Sequence, residues 1–153
     1  MNKVSDKIKR LEDINAWQEA RKLSKIINKI VRKLPKHEIY GIGKHLSENS
    51  RHVPGNIAEG FGRFYYKDSV QFYRVAKGSL NEIKSDVYIC FDRKYIDEVL
   101  LNETINQIEI VDKLVNGLIK SAYKVKKETK WYIIHNTLFI YIYNAWQENQ
   151  NYN

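Results

Sequence analysis

Tyr73, Ala76, Leu80, Ile83, Val87 and Cys90 recur at alternating intervals of three and four. Only a helix keeps such a set on one side, and the rhythm is that of a seam in a helix bundle. Three further stretches repeat it. Trp17, Ala20, Leu23, Ile27, Ile30 and Leu34 form one stripe, and Leu101, Ile105, Ile108, Val111, Val115, Leu118 and Ala122 form another. Ile39, Ile42, Leu46, Val53 and Ile57 form the third, weakened in its middle by Asn49 and Ser50. The chain has 153 residues, 43% of them hydrophobic, which is one domain with one substantial core. With no strand-like alternation and no glycine-rich phosphate loop among these stretches, the economical fold is all-α. The prediction is an antiparallel up-down four-helix bundle spanning residues 13–127, after a charged lead-in at 1–12.

Local signals suggest where the helices begin and end. Asp13 or Asn15 is a candidate cap for the first, and Pro35 stops it after Leu34. The second is expected from about Lys36 or Glu38 to Gly60. Asp92 to Asp97 form the turn before the last, which Asp97 or Asn102 caps. Lys120, Lys124, Lys126 and Lys127 suit the negative end of that helix. Inside the second helix lies the run from His52 to Arg63, with Pro54, Gly55, Gly60 and Gly62. Proline removes an internal hydrogen bond, so a bend is expected at Pro54, with Gly60 or Gly62 as a left-handed cap. Asn56 is placed to satisfy the freed carbonyl or a neighbour, and Glu59 shares its face. Gly78 costs its helix about 1 kcal/mol against alanine, which predicts close approach of a neighbouring helix.

Residues 128–153 form an aromatic C-terminal extension outside this scheme. Trp131-Tyr132-Ile133-Ile134 and Leu138-Phe139-Ile140-Tyr141-Ile142-Tyr143 are too short and too interrupted for a membrane span. Three readings stay open: a strand or a short amphipathic helix on the bundle, a segment docked on a neighbouring subunit, or a poorly ordered addition. Trp17, Phe72, Tyr88 and Phe91 widen the apolar surface beyond what a lone bundle needs, which points to self-association.

Charge indicates the class of partner. The net charge is +8, which favours acidic partners such as RNA, DNA or anionic membrane. In the first helix Lys22, Lys25, Lys29, Arg32 and Lys36 follow the three-four rhythm, with Arg21 and Lys33 beside them and no acidic residue between Glu19 and Glu38. Aligned cations can track a nucleic-acid backbone by releasing its counterions. Arg63 and Lys67 flank Phe64, Tyr65 and Tyr66, and aromatics among cations can stack on unpaired bases. The plainer reading is a solvated helix face, with the tyrosines stapling one helix to the next. No base-reading motif is present, so binding would be indifferent to sequence.

Catalytic and metal chemistry find little support. His45, Glu48 and His52 share a helix face, but no partner motif on another helix completes a metal site, and no cofactor is implied. Cys90 ends a core stripe, where burial raises a thiol's pKa and makes it inert. Ser79 lacks the setting of a nucleophile elbow. As the one cysteine, Cys90 excludes an internal disulfide and fits a reducing compartment, and the N-terminus has no apolar signal region. A cytoplasmic protein without enzymatic activity is expected.

Several of these residues also carry a family resemblance. Asp13 to Ala20, Tyr40-Gly41-Ile42 with Leu46, Val53 to Gly60, and Val75 to Glu82 resemble, in order and spacing, the four-helix-bundle family encoded in 23S rRNA intervening sequences. The likeness covers residues 13–125, with Pro54, Asn56, Glu59, Gly60 and Gly78 as its structural motif. Ser47 and Glu48 stand where the family carries two arginines, so its basic surface is not transferred here. The resemblance implies a homo-oligomer, a ring of five subunits. Through the related accessory proteins of diversity-generating retroelements, it also implies a reverse transcriptase as a possible partner. The expected function is therefore a self-associating basic bundle that binds structured RNA or DNA or an RNA-handling enzyme. The alternative is an oligomeric protein-interaction scaffold without nucleic-acid contact.

Overall fold

A computed structural model describes the backbone of residues 10–63 and 66–150, and the side chains through Lys124 except that of Tyr66. Four α-helices make up the body: α1 (Asn15–Lys33), α2 (Lys44–Gly62), α3 (Tyr66–Asp92) and α4 (Glu98–Gln150). α1 packs on α2 and α4, and α3 packs on the same two. Polar pairs between helices reveal their directions. Ascending from His45 to Asn49 on α2 means descending from Asp86 to Glu82 on α3. The same reversal joins Lys77 and Lys84 to Asp112 and Glu109, and Lys29 and Lys33 to Glu103 and Asp97. The fold is the up-down four-helix bundle that the stripes predict.

The stripes are buried because they face each other. All six seam residues of α3 are buried, and they join Leu23, Ile27, Leu46, Ile57, Val111 and Val115 in a single core. Each such aliphatic side chain contributes about 1.5–3 kcal/mol when removed from water. Pro35 ends α1 as expected, because a proline pushes the preceding residue out of the helical region; Leu34 sits at φ −68°, ψ 143°. Neither Asp13 nor Asn15 caps α1, whose N-cap Ile14 has no side-chain bond to offer. Asp13 instead closes a 3-10 turn with Arg10. Of the two caps considered for α4, Asp97 is the one, its Oδ1 accepting the Leu100 N–H at 2.8 Å.

The second helix departs from expectation at both ends. After a 3-10 turn at Lys36–Glu38 the chain makes a π turn over Ile39–Gly43, where Gly41 leaves helical geometry at φ −92°, ψ −108°. The break lies there and not at Pro54, which passes inside the continuous α2. At its other end no glycine is left-handed. α2 stops because Arg63 turns extended, its N–H on the Gly60 carbonyl.

Gly60 takes the role expected of Gly78. A Cβ on Gly60 would lie 2.5 Å from the Tyr73 ring and 3.1 Å from the Ser69 carbonyl, so α2 and α3 approach closely here. A Cβ on Gly78 would meet nothing within 4 Å. The last correction is length. α4 does not end at Lys127: it runs for 53 residues, about 80 Å at 1.5 Å per residue. The lysines from 120 to 127 therefore do not sit at a helix end, and the backbone of 131–150 is helical. The side chains of that extension, the aromatic run 64–66 and residues 1–9 lie outside the described residues.

Candidate nucleic-acid interface

The first helix exposes its cations in two rows with different surroundings. Leu23, Ile27 and Ile30 point α1 into the core, so at 100° per residue Arg21, Lys25 and Arg32 fall on the outermost line. Lys22, Lys29 and Lys33 lie a quarter-turn away, on the α4 side. Each of these three meets a carboxylate. Lys22 is 2.7 Å from Glu19 of its own helix, Lys29 is 2.8 Å from Glu103, and Lys33 is 3.8 Å from Asp97. Glu19 is itself held, with its carboxyl below the usual range through hydrogen bonds from Lys22 and Gln107. The absence of acids between Glu19 and Glu38 hid this, because Glu103 and Asp97 arrive from a distant helix.

The outer row differs. Among the described residues no carboxylate pairs with Lys25, Arg32 or Lys36. The Arg21 guanidinium stacks 4.7 Å from the centre of the Trp17 ring. Stacking holds the guanidinium plane without neutralising it, leaving its donors for an anion. From Arg21 to Arg32 the row rises about 16 Å along α1. The α4-side lysines remain more than half exposed, and ion pairs of that kind contribute about 0–1 kcal/mol, too little to withhold them from a phosphate.

Other predicted site residues are placed elsewhere. Arg63 pairs with Glu59 one turn back and lies 4.7 Å over the Phe72 ring, so its charge is locally balanced. Glu59 therefore serves Arg63, while Asn56 donates to the His52 carbonyl at 2.8 Å. Lys67 is exposed at the start of α3, whose packing partners are α2 and α4. Of the residues expected to widen the apolar surface, Trp17 and Phe91 pack on the core, whereas Tyr88 remains 43% exposed.

The carbonyl that Pro54 frees, that of Ser50, is answered by α1. The Ser24 hydroxyl donates to it at 2.5 Å, a role assigned in expectation to Asn56. Asn49 also finds its partner, donating at 2.8 Å to Glu82 on α3. Ser47 and Glu48, where the arginines are missing, turn to the Gly43 carbonyl at the end of the π turn and to Lys44 of their own helix.

His45, Glu48 and His52 line one groove between α2 and α3, but His45 is fully engaged. Its Nδ1 is 2.6 Å from Asp86 and its Nε2 3.3 Å from Glu82. No group of three His, Cys, Asp or Glu among the described residues is placed to hold a metal. The hydrogen bond to Asp86, aided by the charges of Asp86, Glu82 and Glu48, raises the His45 pKa. A raised folded pKa stabilises below the unfolded value near 6.5, and that stabilisation disappears as pH rises through the folded one. Urea midpoints are thus expected to fall as pH rises above about 6.5, and Asp86→Asn to flatten that dependence. Equal slopes in the two proteins would show that the imidazolium is not stabilised there. Cys90 is buried, which pushes its thiol up to about 11, far from nucleophilic range.

The α1 stripe, the motif around Pro54 and the α3 seam thus sit in one bundle, and a family model covers all three. The model of the 23S rRNA-intervening sequence protein matches residues 12–117. The chain belongs to that family. A search of curated proteins gave no match. The match to the 23S rRNA-intervening sequence family spans α1, α2, α3 and α4 as far as Gly117, and the rest of α4 lies beyond it. No described helix is long and apolar enough to cross a membrane.

Proposed function

We propose that this bundle is a non-enzymatic, self-associating protein that binds structured RNA through the outer face of α1. The observation that carries the reading is the row Arg21, Lys25 and Arg32, followed in the chain by exposed Lys36, in which among the described residues no carboxylate stands against a cation. The family's association with a 23S rRNA intervening sequence makes RNA the favoured nucleic acid, met either free or in the hands of an RNA-handling enzyme such as a reverse transcriptase. Contacts are to phosphates and carry no sequence preference. Self-association draws support from α3, which exposes Val75 one turn before Gly78 and Ile89 three turns after it, at 44% and 37%. Gly78 weakens its helix while no described atom outside that helix's backbone lies within 4 Å of a Cβ built there. That combination suits a partner backbone approaching from outside. Sedimentation giving the mass of one chain at micromolar concentration would remove this part.

Four phosphate contacts imply an affinity for an RNA hairpin that drops about 100-fold between about 50 and about 200 mM salt. Lys25→Glu/Arg32→Glu is expected to weaken binding more than about tenfold and to flatten the salt slope. Retention that ignores both salt and these changes would favour the scaffold reading.

A further inference from the structure

The groove between α3 and α4 is a second cationic surface, on a different side of the bundle from the α1 row. It encloses about 600 Å³ over a floor that includes Leu80 and Ile108. Each wall carries two lysines seven residues apart, Lys77 and Lys84 on α3 and Lys113 and Lys120 on α4. Seven residues are two turns, so each pair is spaced about 10 Å along its wall. Two acids line the groove, and both are occupied on the α3 side. Asp112 lies 2.8 Å from Lys77 and accepts from Asn116, while Glu109 is 3.9 Å from Lys84. Lys113 and Lys120 have no carboxylate among the described residues. Four lysines less two acids leave the lining at +2. Arg74 extends the cationic track, held at 3.0 Å by the Tyr123 hydroxyl, which places it without cancelling its charge. Between the two unpaired lysines sits Gly117, where a Cβ would meet nothing within 4 Å, so the rim is open.

We infer that this groove binds the phosphodiester backbone of single-stranded RNA. Its chemistry selects that ligand. The lining has no aromatic side chain, so it offers no platform for a base and reads charge alone. Its cations are lysines, which meet phosphates as point charges with no demand on geometry. A concave slot between two helices admits one strand, whereas a duplex suits the convex α1 face. Because α1 packs on α2 and α4 and not between α3 and α4, one rigid duplex cannot lie on both surfaces. The bundle therefore holds two segments of RNA at once, a paired one on α1 and an unpaired one in the groove.

This rests on the RNA-binding reading above, and the test separates the two. The probes are a labelled oligouridylate and a labelled RNA hairpin, each titrated with the full chain. Lys113→Glu/Lys120→Glu is expected to weaken oligouridylate binding more than about tenfold and reduce its salt slope by about 1.4, with hairpin affinity within about twofold of wild type. Lys113→Gln/Lys120→Gln removes charge without repulsion and is expected to show the same pattern with a smaller loss. The α1 variant Lys25→Glu/Arg32→Glu is expected to do the reverse. Unchanged oligouridylate affinity and slope in both groove variants would overturn the groove while leaving the α1 reading intact. A wild-type chain that retains neither probe would overturn both.

Discussion

A Gly60→Leu protein is expected to melt about 2–8 °C below the wild type. The Cβ alone would enter within 2.5 Å of the Tyr73 ring, and that ring is 6% exposed, with no open space to swing into. The next obstacle, the Ser69 carbonyl at 3.1 Å, is backbone. Relief requires α2 and α3 to separate, and overpacking of this kind costs about 1–3 kcal/mol, occasionally more. Helix propensity works against the loss by up to about 1 kcal/mol, since leucine is the better helix former. Each kcal/mol moves the midpoint of a domain this size by about 2–4 °C. Gly55→Leu is the control. Gly55 lies in the same helix with nothing within 4 Å of its would-be Cβ, so the propensity gain stands alone and the midpoint is expected to rise. Scanning calorimetry at matched protein concentration decides it. A Gly60→Leu midpoint at or above wild type would mean that the two helices do not meet there.

The second large effect belongs to a hydroxyl. Pro54 has no N–H, so the Ser50 carbonyl one turn earlier loses its helical donor, and Ser24 of α1 supplies the replacement. Removing that donor leaves a carbonyl in the α1–α2 interface without a partner, at about 1–3 kcal/mol. Ser24→Ala is therefore expected to lower the unfolding free energy by that amount. The informative measurement is the double-mutant cycle. In a Pro54→Ala background the helix regains its own N–H for Ser50, and Ser24→Ala should then cost less than about 0.5 kcal/mol. Equal costs in the two backgrounds would show that Ser24 does something other than replace the proline's missing donor.

Much of this architecture was legible from periodicity because burial obeys it. The α3 stripe from Tyr73 to Cys90 is buried at every position, and so are five of the six positions on α1, with Trp17 half-covered. Periodicity was less useful where the backbone changes pitch. Ile39 looks like the first apolar position of α2, but the π turn around Gly41 breaks the register and leaves it 41% exposed. Composition misled at the other end. β-branched and aromatic residues after 130 suggest a change of structure, yet each costs a helix no more than about 0.7 kcal/mol, and no glycine or proline follows Gly117 to stop one.

The site was legible only in part, for a different reason. A glycine inside a helix announces that something unusual is nearby, but not which neighbour causes it, so Gly60 and Gly78 could be told apart only by what stands opposite. Charge pairing is similarly non-local. Lys29 and Glu103 are 74 positions apart, and a stripe that looks uniform along α1 divides into balanced and unbalanced rows only once α4 lies beside it. The α3–α4 groove had no sequence signature at all, since its lysines are ordinary exposed helix residues until the two walls face each other.

The unbroken course of α4 has a mechanical consequence. Arg74 stands level with Tyr123, so the first turn of α3 reaches only to about residue 131, and some 20 residues of α4, about 30 Å, continue past it. A flexible tether would let whatever holds that far end drift. A rod hydrogen-bonded through every turn behaves as a lever whose short arm is clamped among the core residues from Leu101 to Val115, so torque applied at the tip is felt inside the bundle.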